Sequence, residues 1–204
     1  PAYRSRELRR AWGLSEEELA VIYVGRLAEE KNIRLAARAY RAIREKRTDS
    51  KFVLVGDGPL RSELEEENPE FIFQGWRTGE DLSRHYASAD LFLFASTTET
   101  FGNVVLEGMA SGLPVVAYDY AAAHSYIEDG WSGLLAEFDV ADRFIERAVH
   151  AGTDPELLEK LGINARQSAR EASWKRVCDT FEGILQNHAE KETGRCQSLD
   201  TRSF

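Results

Sequence analysis

Apolar positions along this chain fall in short unbroken runs separated by polar, glycine-bearing stretches. Ala20-Val21-Ile22-Tyr23-Val24, Phe52-Val53-Leu54-Val55, Phe71-Ile72-Phe73, Leu91-Phe92-Leu93-Phe94 and Pro114-Val115-Val116-Ala117-Tyr118 are such runs. They are continuous, not alternating, so each predicts a strand covered on both faces. Between them lie helical patterns. Ala36, Ala39, Tyr40 and Ile43 repeat at i, i+3, i+4, i+7, an amphipathic helix. Leu60–Glu67, Glu80–Ala87 and Asn103–Ala110 predict three more, with Pro59 in the first turn of the first. Gly112 stops the last of them. Arg4–Trp12 reads as a short charged helix, and Ser15-Glu16-Glu17-Glu18 as a turn. After Tyr118 the pattern predicts a short helix near 122–127 and a small strand at Leu134-Leu135. Helices follow over 141–150, 156–171 and 174–187; in the last, Trp174, Val177, Phe181 and Ile184 share a face. Strands alternating with helices predict an α/β fold with a parallel sheet, helices on both faces and right-handed crossovers. Residues 1–187 are expected to form one domain, and 188–204, polar and aperiodic, a tail.

Composition narrows the class. The 204 residues suffice for one well-packed α/β domain. A net charge of −9 argues against non-specific nucleic-acid binding, so a bound phosphate would need a local basic spot. No apolar run is long enough to span a membrane. Cys178 and Cys196 lack metal-ligand spacing and are expected to be reduced thiols in a cytoplasmic protein. Residue 1 is proline and Met109 is the only methionine. The expectation is an upstream segment, or one domain of a longer protein.

Three loops at predicted strand ends carry candidate chemistry. In the first, Gly25 permits a tight turn, and Arg26 and Lys31 flank a loop that opens a helix, suited to a diphosphate. The structural alternative is that both cations are solvated and paired with Glu29 or Glu30. In the second, Gly56-Asp57-Gly58-Pro59, the glycines permit close approach of a ligand, although Asp57 would repel a phosphate if it pointed inward. The third is Thr98 to Glu107. Gly102 and Asn103 open a helix whose N–H groups can face a phosphate. Glu99 and Glu107, eight positions apart, could accept hydrogen bonds from sugar and ribose hydroxyls. As structural alternatives, Glu99 is an exposed loop acid and Glu107 a carboxylate capping a neighbouring turn. Glycoside hydrolysis by the pair ranks low, because phosphate-binding features crowd the same edge. The four histidines have no ligand spacing. His85 is expected to be structural or exposed, and His124 is a candidate for lining the site.

Taken as an ordered series, these motifs resemble the carboxyl-terminal, donor-binding half of family-4 retaining glycosyltransferases of the GT-B fold. The series is Gly25-Arg26-Leu27 with Lys31, Gly56-Asp57-Gly58-Pro59, Gly75 with Leu82, Tyr86 and Ala89-Asp90, and Glu99-x7-Glu107. Ala110-Ser111-Gly112-Leu113-Pro114-Val115-Val116-Ala117 and Gly130 with Gly133 complete it. The resemblance runs from about Val21 to Arg176 and implies a Rossmann-like domain. It implies that Arg26 and Lys31 hold the diphosphate of a UDP- or GDP-linked sugar, Glu99 the donor sugar and Glu107 the ribose. Phe101, Gly102, Asn103 and Val104 would line phosphates and sugar, and the loop from Gln74 to Arg77 would lie beside the base. No cofactor and no metal are implied. The implied partners are the donor and an amino-terminal acceptor-binding domain of the same protein, with no nucleic acid. The implied location is cytoplasmic, with peripheral association at the inner membrane face open to the longer protein.

One stretch departs from the family. Where many members have Gly-Gly and then an acid, this chain has Asp119-Tyr120-Ala121-Ala122-Ala123-His124-Ser125, which puts sugar or acceptor preference in doubt. The reading is therefore the donor domain of a hexosyltransferase acting on a lipid or saccharide, inactive when isolated. Its rivals are half of a nucleotide-sugar epimerase and a non-catalytic nucleotide-sugar-binding module. A dinucleotide dehydrogenase is remote, because no Gly-x-Gly-x-x-Gly follows the first strand.

Overall fold

The computed structural model describes residues 3–98 and 102–172. The chain divides after Ala169, and the account below concerns the part before that division. Glu99, Phe101, the cysteines, the expected helix over 174–187 and the expected tail lie outside the described residues.

Six strands form one sheet: β1 (Leu19–Val24), β2 (Ser50–Val55), β3 (Ile72–Gly75), β4 (Leu91–Phe94), β5 (Val115–Tyr118) and β6 (Gly133–Ala136). Their order is β3-β2-β1-β4-β5-β6, and every neighbouring pair is parallel. The order reverses between β1 and β4, whose registers pair Val21 with Leu91 and Ile22 with Phe92. A crevice outside the strands' carboxyl ends opens at such a reversal. The eight helices among the described residues are α1 (Arg6–Ala11), α2 (Ile33–Lys46), α3 (Arg61–Glu67), α4 (Gly79–Ser88), α5 (Asn103–Ala110), α6 (Ala121–Tyr126), α7 (Ala141–Gly152) and α8 (Pro155–Glu171). The fold is the α/β Rossmann-like sheet the pattern predicts.

The unbroken apolar runs have a direct cause. Leu19, Val21 and Tyr23 of β1 join one core with Phe52, Leu54, Leu91, Leu93 and the inner faces of α2 and α7. Ala20, Ile22 and Val24 join a second core with Phe92, Phe94, Tyr86, Val105 and Met109. Alternate residues face opposite layers, and both layers are dry, so every position is apolar.

At the amino edge of the sheet, Arg9 pins α1 in place. It is fully buried and donates to the carbonyls of Ser88, Ser15 and Glu18 and to the Asp90 carboxylate at 3.0 Å. The same Asp90 oxygen accepts from the Ala20 N–H at 2.7 Å. A buried charge needs such full pairing to be tolerated.

Pro59 departs from its expected place. The helix begins at Arg61 with Leu60 at its cap, so Pro59 lies in the preceding turn. The Leu60 N–H is donated to the Leu27 carbonyl, which fixes the chain before the helix can start.

Candidate functional site

The loops leaving β1, β2, β3 and β4 converge on one cleft of about 950 Å³ at the carboxyl edge. The first three loops are fastened together by backbone hydrogen bonds. Gly25 N–H donates to Val55 O, Leu27 N–H to Asp57 O, and Gly56 N–H to Gly75 O, all within 2.9–3.0 Å. A Cβ on Gly56 would sit 1.9 Å from the Gly25 carbonyl oxygen, and one on Gly58 2.3 Å from that of Leu27. Both glycines line the cleft, but what excludes a side chain is this loop-on-loop packing. The packing is a second reason for glycine at these positions, beside the close approach of a ligand expected from the sequence.

Arg26 and Lys31 both reach the cleft. Arg26 is exposed and lies 3.3 Å from the Glu30 carboxylate, the partner weighed for it from the sequence. Lys31 Nζ donates to the Thr98 carbonyl at 2.9 Å, and Thr98 Oγ1 donates to Glu30 O. The first loop thus holds the start of the loop that carries Glu99. Asp57 does not aim a bare charge at the cleft. It accepts from the Gly58 N–H at 2.8 Å and from Arg61 at 3.0 Å. The Gly58 hydrogen bond first, then Arg61, holds its pKa below the usual carboxylate value.

Beyond Thr98, Gly102 takes φ 63° and caps α5, and Asn103 is the first helical residue. The N–H groups of Asn103 and Val104 meet no acceptor among the described residues, and both residues line the cleft. Such a helix start favours an anion by about 0.3–1 kcal/mol when exposed. Glu107 lies one turn further along and also faces the cleft. Tyr86, itself buried on α4, donates its hydroxyl to Glu107 at 3.2 Å. Burial of the carboxyl end raises the Glu107 pKa, and the Tyr86 hydrogen bond opposes that shift. Burial and the adjacent Glu107 charge push the Tyr86 hydroxyl far above the usual phenol value.

The family model for "Glycosyl transferases group 1" matches residues 18–154, which hold all four of these loops. The chain belongs to this family. It is 36% identical over 198 residues to a GDP-mannose-dependent alpha-mannosyltransferase of Mycolicibacterium smegmatis, covering 96% of this chain and 49% of that protein. It is 29% identical to an alpha-monoglucosyldiacylglycerol synthase of Streptococcus pneumoniae, covering 98% of this chain and 47% of that protein. Among solved structures, WaaG, a glycosyltransferase involved in lipopolysaccharide biosynthesis, superposes with TM-score 0.72 at 26% identity, over 83% of this chain and 48% of WaaG. Anabaena HepE, solved with UDP and glucose, superposes with TM-score 0.71 at 24% identity, over 93% of this chain and 52% of HepE. The fold is that of GT-B glycosyltransferases. The chain spans about half the length of the curated relatives it matches.

In this glycosyltransferase domain the β3–α4 loop differs from expectation. Arg77 lines the cleft, 3.4 Å from Asp81. Gln74 does not line it; its side-chain amide is turned to His85 Nε2 at 3.2 Å. His85 is buried, and its Nδ1 donates to the Asp81 carbonyl at 2.7 Å. Burial lowers the His85 pKa. Gln74 is spent on packing α4 against β3, which corrects its assignment beside the base.

Trp76 takes the place at the cleft that Gln74 vacates. It is 71% exposed and lines the cleft with Thr78, Leu82, Tyr23 and Phe94. Its sequence signal was an aromatic residue directly after the strand-ending Gly75. His124 does not line the cleft: it is exposed on α6, 2.6 Å from Asp119. In the departing loop, Ala121 takes φ 47°, a left-handed conformation costing a side-chain-bearing residue about 1–2 kcal/mol. Among the described residues no three His, Cys, Asp or Glu side chains are grouped to hold a metal ion, and no helix is long and apolar enough to cross a membrane.

Proposed function

We propose that this domain binds a nucleoside-diphosphate hexose and that the protein transfers the hexose, with retention, to a lipid or saccharide acceptor. The observation that carries the reading is that Arg26, Lys31, the residues Gly102, Asn103 and Val104 at the start of α5, and Glu107 all line one cleft. Asn103 and Glu107 are four residues apart, about 6 Å along the helix axis. A diphosphate at the helix start would leave its ribose within reach of the Glu107 carboxylate. Trp76 and Arg77 also line the cleft and are proposed to lie beside the base.

When the bond from the anomeric carbon to the diphosphate breaks, one further negative charge develops on the leaving phosphate. Lys31, Arg26 and the first N–H groups of α5 are fixed donors for that charge, which is the work a divalent cation does elsewhere. Transfer is therefore proposed to need no metal. Glu99 is proposed to accept hydrogen bonds from the donor sugar. GDP-mannose is the first donor to try, because several of the relatives are named for it.

Calorimetry of the full-length protein with GDP and UDP tests this. The expected result is nucleotide binding that EDTA leaves unchanged. Lys31→Ala is expected to weaken it about 10- to 150-fold, the value of one charged hydrogen bond. Arg26→Ala together with Lys31→Ala should abolish it. Binding indifferent to the double substitution, or no binding at all, would support a module with another ligand.

A further inference from the structure

Further along the same carboxyl edge, the loops after β5 and β6 present two aromatic rings to water. Tyr120 and Phe138 are each 42% exposed, with ring centroids 4.5 Å apart at an interplanar angle of 37°. The pair is anchored from below. Phe138 meets the buried Tyr118 edge-on at 5.8 Å, and Tyr118 packs on Phe144 of α7 at 5.4 Å. A backbone oddity accompanies each ring. Ala121, directly after Tyr120, has φ 47°, and Asp139, directly after Phe138, has φ 60°. Among the described residues only Asn32 shares that conformation without being glycine. The ring contacts stabilise the loops, but they do not require the rings to remain 42% exposed or the backbone to take two unfavourable conformations. Their coincidence on facing loops marks a surface shaped for something outside it.

The polar rim states the chemistry. Asp119 Oδ1 accepts from His124 Nδ1 at 2.6 Å, and both side chains are exposed. That leaves Asp119 Oδ2 as an acceptor and His124 Nε2 for a further hydrogen bond. Asp119, Glu137 and Asp139 neighbour the rings in sequence. Cations stand close by as well, Arg38 near Tyr118 and Arg143 near Glu137, so the charge of the rim selects no charged ligand. A pyranose is suited: it offers an apolar C–H face to the rings and hydroxyls to the carboxylate and imidazole. The patch also shares an edge with the donor cleft, one to two strand spacings away along the sheet. We propose that Tyr120 and Phe138 are a stacking platform for a pyranose ring of the acceptor, with Asp119 and His124 binding its hydroxyls. This rests on the glycosyl-transfer reading above and assigns part of the acceptor site to the donor half.

The test uses the full-length protein with GDP present, so that the nucleotide cleft is occupied. Methyl α-D-mannopyranoside and methyl α-D-glucopyranoside are titrated by saturation-transfer NMR. At least one glycoside is expected to bind. Tyr120→Ala with Phe138→Ala should weaken it about tenfold, and Tyr120→Phe should stay within about twofold. Both rings are exposed, and unchanged melting curves would establish that the variants fold. Glycoside binding that the double substitution leaves intact overturns the proposal, as does no binding of either glycoside to the wild type. So does loss, in the double variant, of binding to phosphatidylglycerol vesicles, which would reassign the rings to a membrane contact. GDP affinity read on the same samples keeps the two ideas apart. Its absence in the wild type defeats the transfer reading, whereas its retention beside unchanged glycoside binding defeats only the platform.

Discussion

Glu107 holds its carboxyl where burial works against its charge, and the hydroxyl of Tyr86 relieves it in part. The sign of the consequence is fixed. A carboxyl whose folded pKa is raised contributes stability that is complete below its unfolded value, near 4.5, and is lost as pH rises through the folded value. Glu107→Gln removes that loss and keeps an oxygen for Tyr86. At pH 7 the variant should melt at or above the wild-type temperature while binding GDP or UDP more weakly, and near pH 4 the two proteins should converge. A variant less stable at pH 7 would mean the carboxylate supports the apo fold. A site residue that improves stability when neutralised is one held for a ligand. Glu107 was singled out in the sequence by its spacing of eight positions from Glu99, and the structure places it in the lining of the cleft. Its hydrogen bond from Tyr86 was not legible, because a separation of 21 positions says nothing of how α4 lies beside α5.

At the scale of elements, the joined loops after β1 and β2 set the cleft's shape. Gly56→Ala puts a methyl group 1.9 Å from a carbonyl oxygen and forces an alanine to φ 138°. The loops would have to part, at a cost of about 1–3 kcal/mol before the backbone strain is added. Urea unfolding should show that loss, and nucleotide calorimetry should show binding falling with it. The strands themselves were legible because a strand dry on both faces must be apolar at every position. α5 was legible because Gly102 and Gly112 bracket it. The packing role of the glycines at 56 and 58 was not, since it depends on β1 and β2 being neighbours in register from Leu19 with Ser50 to Val24 with Val55. Gln74 failed for a related reason: only the packing of α4 brings His85 to it. Trp76 stood within the loop read from the sequence, but whether its ring is covered or left bare is decided by the whole edge.

For the whole molecule, a net charge of −9 sits beside a site proposed to bind a polyanion. Local placement resolves the conflict: Arg26, Lys31 and Arg77 ring the cleft, and Arg61 with the Gly58 N–H offsets Asp57. The sheet order carries a consequence of a different kind. β1 is the third strand from one edge, between β2 and β4, and its pairing with β4 joins residues about 70 positions apart. A fragment ending at Ser88 lacks β4 and Asp90, the partner of Arg9 and of the Ala20 N–H. It should show no cooperative urea transition by circular dichroism, and a sharp one would contradict this account. In the cell, the ribosome adds about 5–20 residues per second. β1 therefore waits roughly 4–14 s with one apolar edge bare before its partner emerges. During synthesis this domain is for that interval a client for chaperones, and rare codons between Val24 and Leu91 would lengthen the exposure.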